Sequence, residues 1–155
     1  MIGDQTVKRK SLEGDVCPIA RTLDAIGDWW SLLIIRDALM GTRRFSQFQK
    51  NLGVAKNILT VRLRSLVTQG ILEVKPASDG SAYQDYVPTA KARALFPVLV
   101  AMRQWGEEYA FKPGESCSSL VDKQDGLPLS KLQILAHDGR RIDQTETKVL
   151  APATT

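Results

Sequence analysis

Residues 38–72 read ALMGTRRFSQFQKNLGVAKNILTVRLRSLVTQGIL. These 35 residues contain no Asp or Glu, yet they hold Arg43, Arg44, Lys50, Lys56, Arg62 and Arg64. Carboxylates stand at both borders, Asp37 and Glu73, and recur through the rest of the chain. Apolar residues inside the window repeat with a helical period. Phe45, Phe48 and Leu52 mark the inward side of a short helix over about 46–51, and Leu52-Gly53-Val54 makes a turn. Leu59, Leu63, Leu66 and Val67 mark the inward side of a second helix over about 55–69, which Gly70 ends. At about 100° per residue, Asn57, Thr60, Val61, Arg64 and Thr68 fall on the opposite side. This is the spacing of a helix-turn-helix, whose second helix enters the major groove of DNA. A polyanion would select such an acid-free basic segment. Charge alone is equally compatible with a solvated basic face that has no partner.

Upstream, Cys17-Pro18 opens a helix with Ile19, Ala20, Leu23 and Ile26 as its apolar stripe, closed by Gly27. The next helix, Trp29 to Met40, is apolar nearly all round and is expected at the centre of the core. Downstream, Ile71–Lys75 and Tyr83–Val87 alternate as short strands joined by a loop that carries Asp79-Gly80, which makes a wing. A long helix is expected from Thr89 to about Ala110, with more apolar surface than a small winged domain covers, so part of it is read as a dimer interface. Lys112-Pro-Gly-Glu-Ser reads as a linker, and beyond it Leu127 to Leu135 roughly alternates before an Asp138-Gly139 turn. The expected fold class is α+β, mainly α with a small β part. It is a winged helix-turn-helix with a long C-terminal dimerisation helix and a small β appendage. Three segments follow: a flexible arm at 1–16, the winged domain at 17–111, and a linker with a hairpin at 112–155 that ends loosely after Val149.

The chain has 155 residues and a net charge of +4. Residues 1–75 hold 12 Lys/Arg against 7 Asp/Glu, and residues 76–155 hold 9 against 10, so the positive excess lies in the first half. No apolar run is long enough to span a bilayer, and the polar start does not read as a signal peptide. A cytoplasmic protein with no membrane partner is expected. Its two cysteines, Cys17 and Cys117, would then be thiols. A single histidine, His137, without a patterned Cys or carboxylate partner argues against a metal site, a cofactor and catalysis.

Several stretches together resemble the HxlR-type winged-helix regulators. They are Cys17-Pro-Ile-Ala-Arg21 through Trp30 to Arg36-Asp37, then Gly41-Thr-Arg43-Arg44-Phe45, then Leu59-Thr60-Val-Arg62-Leu63-Arg64-Ser-Leu66 with Gly70-Ile-Leu. Tyr86-Val-Pro-Thr89, Leu95-Phe-Pro97-Val98-Leu99 and Trp105-Gly106 complete the pattern in order. The resemblance implies a bacterial DNA-binding transcription regulator, a repressor or an activator with repression favoured. It implies a homodimer on an operator and no enzyme activity, with the first and the long last helices pairing the protomers. The dimer residues are then Ile19, Leu23, Leu95, Leu99, Met102, Trp105 and Tyr109. Relatives commonly begin the recognition helix Ser-Pro-Lys, where this chain has Ala55, Lys56 and Asn57. Loss of the Ser cap costs roughly 1 kcal/mol. Trp29 stands where a basic residue is usual, and the wing, 77–84, has no Arg.

Each residue then has an expected role. Arg43 and Arg44 grip phosphates, which adds affinity without sequence information. Lys56 supplies a basic contact at the head of the recognition helix. Asn57, Thr60, Val61 and Arg64 face the bases: Asn suits adenine, Arg suits guanine, and Thr or Val suits a thymine methyl. Arg62 pairs either with a phosphate or with a carboxylate such as Asp24 or Asp37. Cys17 sits where a helix dipole favours a thiolate, and is either a sensor of oxidants and electrophiles or a small capping residue. A small-molecule effector could also lie between the long helix and the first helices. The rival reading is a winged-helix module that binds protein rather than DNA.

Overall fold

The computed structural model describes residues 10–154, in two units that divide between Ala94 and Leu95. The loose arm expected at 1–16 and the loose end expected after Val149 fall partly outside the described residues, at 1–9 and 155.

In the first unit, α1 (Pro18–Ile26) starts on a proline, whose missing N–H is no loss in a first turn. The residues just before it are fastened to it: the Leu12 N–H donates to Asp24 Oδ1 at 2.9 Å. Asp28 caps α2 (Trp29–Leu39) by accepting from the Ser31 N–H at 2.9 Å. Ile34, Ile35 and Ala38 of α2 are fully buried and form the centre of the core. Against them lie Phe48 of α3 (Phe45–Leu52) and Leu59, Leu63 and Leu66 of α4 (Lys56–Thr68), all buried. Gly53, at φ +61°, makes the turn between these two helices in a conformation that side chains with a Cβ rarely adopt.

Strands β1 (Leu72–Pro76) and β2 (Gln84–Pro88) pair antiparallel, Leu72 opposite Pro88 and Val74 opposite Tyr86. Tyr86 fastens this wing to the helices. Its N–H donates to Arg43 O at 2.8 Å, and its ring meets Phe48 edge-on at 6.5 Å. Thr89 Oγ1 donates to Gly70 O at 2.6 Å, and Lys91 Nζ donates to Gln69 O at 2.7 Å, so the carbonyls at the end of α4 are satisfied. This is an α+β winged helix-turn-helix.

The single long helix expected from Thr89 to Ala110 is two helices, α5 (Ala90–Arg93) and α6 (Phe96–Tyr109). Pro97 is the reason. It has no N–H for the carbonyl four residues back and its ring crowds that carbonyl, so it fits only in the first turn of a new helix.

The second unit contains α6 and the segment that follows it. The Asp138-Gly139 turn forms, with the Ala136 N–H donating to Arg140 O at 2.8 Å. Paired strands do not follow from it. Among the described residues only isolated bridges occur there, Leu135 with Arg141 and Val121 with Pro128, and a short 3-10 turn spans Gln144–Glu146. Arg103 Nη1 donates to Ser118 O at 2.7 Å. Gln104 exchanges hydrogen bonds with Ser130 O and the Leu132 N–H at 3.0 and 2.9 Å. Among the described residues no helix is long and apolar enough to cross a membrane.

Candidate nucleic-acid interface

Helix α4 carries two stripes. Leu59, Leu63 and Leu66 are buried. Asn57, Val61, Arg64 and Thr68, spaced by four, three and four residues, are exposed on the other side, with Lys56 exposed at the head. Val61 is 57% exposed, which solubility does not explain. Thr60 is half-buried, and its hydroxyl donates to Lys56 O at 2.8 Å. Its methyl group and an oxygen lone pair remain for a partner. Ala55 is the N-cap of α4 and offers no side-chain acceptor, so the first-turn N–H groups stay open.

The other arginines of the window are occupied internally. Arg43 Nη1 donates to Ala38 O at 2.7 Å and to Thr42 O at 2.9 Å, which closes the end of α2. Arg44 Nε donates to Asp85 Oδ1 at 2.8 Å and Nη2 to Asp79 Oδ2 at 2.7 Å, and its guanidinium lies 5.3 Å from the Tyr83 ring centre. Arg62 Nε sits 3.3 Å from Asp28 Oδ2, the same carboxylate that caps α2. The carboxylate alternative for Arg62 therefore has a partner in Asp28, rather than in Asp24 or Asp37. By contrast, Lys50, Lys56 and Arg64 are exposed and meet no carboxylate among the described residues.

Asp79, Tyr83 and Asp85 are the residues that sequence reasoning did not single out. Hydrogen bonds from the Ser81 backbone N–H, then its side chain, then Arg44 pull the Asp79 carboxyl down to about 2. Arg44 first, and the Ser78 N–H less strongly, lower Asp85, which is buried. Asp79 first and Asp85 next raise the Arg44 guanidinium above its ordinary value. Between this wing and the head of α3 opens a cleft of about 630 Å³ lined by Arg44, Ser46, Tyr83, Gln84 and Tyr86. Its cation is already neutralised. The carboxylates that hold it lie 35 and 41 residues away, and no local pattern in a sequence reports such a pairing.

The remaining candidates belong to α1, to α6 and to the residues just before each. Cys17 is exposed at the N-cap of α1, and its N–H donates to Asp15 Oδ1 at 2.8 Å. Ile19, Leu23, Met102, Trp105 and Tyr109 are exposed, while Leu95 and Leu99 are half-buried.

Residues 25–113 match the family model described as HxlR-like helix-turn-helix. The uncharacterized HTH-type transcriptional regulator Rv3095 of Mycobacterium tuberculosis is 40% identical over 95 residues, which are 61% of this chain and 60% of its own length. The match thus spans less than two thirds of that relative. Among solved structures, PA1607, provisionally assigned as a transcription factor, is 51% identical with a TM-score of 0.87, covering 92% of this chain and 100% of its own. That likeness must take in most of the segment beyond residue 113. The redox regulator HypR in its oxidized form is 30% identical with a TM-score of 0.54, covering 59% of this chain and 96% of its own.

Proposed function

The chain belongs to the HxlR-like helix-turn-helix family of transcriptional regulators, and we propose that it binds operator DNA as a homodimer and represses transcription there. The observation that carries this reading is the exposed stripe of α4, where Asn57, Val61 and Arg64 stand opposite the buried leucines with Lys56 at its head. Arg64 takes a guanine edge, Asn57 an adenine edge, and Val61 with the Thr60 methyl group a thymine methyl. The open first turn of α4 and Lys56 take a phosphate, since helix N–H groups and the dipole favour an anion there. In place of a capping side chain, the DNA backbone satisfies those donors.

Arg43, Arg44 and Arg62 serve in this reading as fasteners rather than as phosphate contacts. They fix the end of α2, the wing and the start of α2, so that α4 is presented rigidly. The two protomers pair through Ile19 and Leu23 of α1 and through Leu95, Leu99, Met102, Trp105 and Tyr109 of α6 and its approach. Half-sites one turn of B-DNA apart, about 34 Å, then fit the pair.

Cys17 is the effector point in this reading. Its thiol is exposed at the head of α1, and the similar structure of HypR is that of a redox regulator. Addition of the thiol to a quinone forms one S–C bond and moves the thiol proton to the quinone oxygen. The bulk gained at α1 shifts the protomers, and operator affinity falls. The test is operator binding by the unaltered chain and by Cys17→Ser, each with and without a quinone or diamide. Release of the unaltered chain alone supports the sensor; equal release of both removes it. For the interface itself, Arg64→Ala relaxes preference at one base pair by about 1–3 kcal/mol. Equal weakening on all sequences would move Arg64 to a phosphate role.

A further inference from the structure

Three aromatic rings and an ion cluster meet where the wing passes the head of α3. Phe45 and Tyr86 are half-buried, and Tyr83 is 70% exposed. With Arg44, Ser46 and Gln84 they line the cleft of about 630 Å³, a size within the range of small-molecule sites. All of them belong to the first unit, on α3 and its N-cap or on β2 and the residue before it.

Ordering an exposed side chain has an entropic cost, yet the Tyr83 ring is held. The Arg44 guanidinium lies 5.3 Å from its centre, and Asp79 and Asp85 hold that guanidinium at 2.7 and 2.8 Å. The guanidinium covers one face of the ring and leaves the other open. A wall fixed before anything binds lowers the cost of binding against it. The polar groups of the cleft have no partner inside the chain. The Ser46 hydroxyl, the Gln84 side-chain amide and the phenol groups of Tyr83 and Tyr86 meet no hydrogen-bonding group among the described residues. Exposed rings flanked by unused donors and acceptors fit a flat molecule with a polar group at its edge.

Charge narrows the class. Arg44 is the one cation of the lining, and its two carboxylates leave an excess of one negative charge in the cluster. An anionic ligand would meet a guanidinium whose Nε and Nη2 are already engaged, with both carboxylates close by. A cationic ligand would meet the guanidinium that already lies by the ring. An uncharged ring escapes both penalties. We propose that this cleft binds an uncharged planar aromatic molecule of one or two rings, which stacks on Tyr83 and hydrogen-bonds to Ser46 and Gln84. The site needs no thiol, so it is separate from Cys17, and it is tested on the free chain, so it does not depend on the operator reading.

The test titrates the full chain with indole-3-acetamide and with indole-3-acetate near neutral pH, where the acid is ionised, and follows the backbone and aromatic NMR signals. The amide binds with a dissociation constant of about 1 mM or lower, and the largest shifts fall on Phe45, Ser46, Tyr83 and Gln84. The acid, equal in size, binds at least about 10-fold more weakly. Tyr83→Ala weakens the amide by about 10-fold, and its backbone spectrum away from the wing shows that it remains folded. Asp79→Asn narrows the difference between the two probes, because the excess negative charge is then gone. Cys17→Ser binds the amide as the unaltered chain does. Absence of a saturable shift with the amide, or equal or tighter binding of the acid, overturns the proposal. Shifts centred outside the wing and α3, or full binding by Tyr83→Ala, overturn it as well.

Discussion

The internal pairing of three arginines has a measurable consequence for how DNA binding depends on salt. Each phosphate neutralised contributes about 0.9 to the slope of log affinity against log salt. If Lys50 and Lys56 meet phosphates while Arg64 reads a base, a dimer neutralises about four phosphates and the slope is near −4. If Arg43, Arg44 and Arg62 reached phosphates as well, about ten would be neutralised, for a slope near −9. Between 50 and 200 mM salt these slopes correspond to losses of roughly 10²-fold and over 10⁵-fold. The two variants that separate the cases are Lys56→Gln and Arg44→Gln, read by fluorescence anisotropy on a selected duplex across a KCl series. Lys56→Gln should reduce the steepness by about 2, because each protomer then leaves one more phosphate with its counterion. Arg44→Gln should leave the slope unchanged, because Asp79 and Asp85 already neutralise that cation. A fall of about 2 for Arg44→Gln would show that Arg44 leaves its carboxylates for a phosphate, and the reasoning would fail.

Other expectations can be checked on the free protein. The Asp79 carboxyl is held at about 2 against an ordinary 3.8, so its stabilisation of the wing is complete above about pH 4 and disappears as pH falls toward 2. Carboxyl NMR of Asp79, followed with the Tyr83 ring shifts, should show that transition, and Asp79→Asn should abolish it. Asp28→Ala removes the cap of α2 and the partner of Arg62 together. It should cost at least about 1 kcal/mol and lower the melting temperature by several degrees in calorimetry; an unchanged transition would deny both roles. Leu63→Ala leaves a cavity between α4 and the core and should cost about 2–5 kcal/mol in urea denaturation.

The helix-turn-helix was legible because its signals are local. The spacing of Leu59, Leu63 and Leu66 sets the buried side of α4 and, by helical geometry, the exposed side. The wing was legible from alternation and from Asp79-Gly80. The break before α6 was written in Pro97, but the apolar run on both sides of it reads as one helix until that ring is considered. What the residues did not reveal is which cations are free. Arg43, Arg44, Lys56, Arg62 and Arg64 look alike in a row of letters, and their roles depend on carbonyls and carboxylates brought close only by folding. Arg44 illustrates this, since its partners come from the wing loop and β2. The segment beyond residue 112 alternated well enough to suggest a hairpin. With few partners in its own unit it forms a turn and isolated bridges.

The central claim is that the exposed face of α4 reads DNA in a pair of chains. Selection from a pool of random duplexes by the full chain, with deep sequencing of the bound fraction, tests it most directly. The account predicts an enriched inverted repeat whose half-site centres lie about 10–10.5 base pairs apart, and disappearance of one enriched guanine position with Arg64→Ala. A pool that shows no enrichment at about 50 mM salt, where phosphate-driven binding is strong, would contradict it.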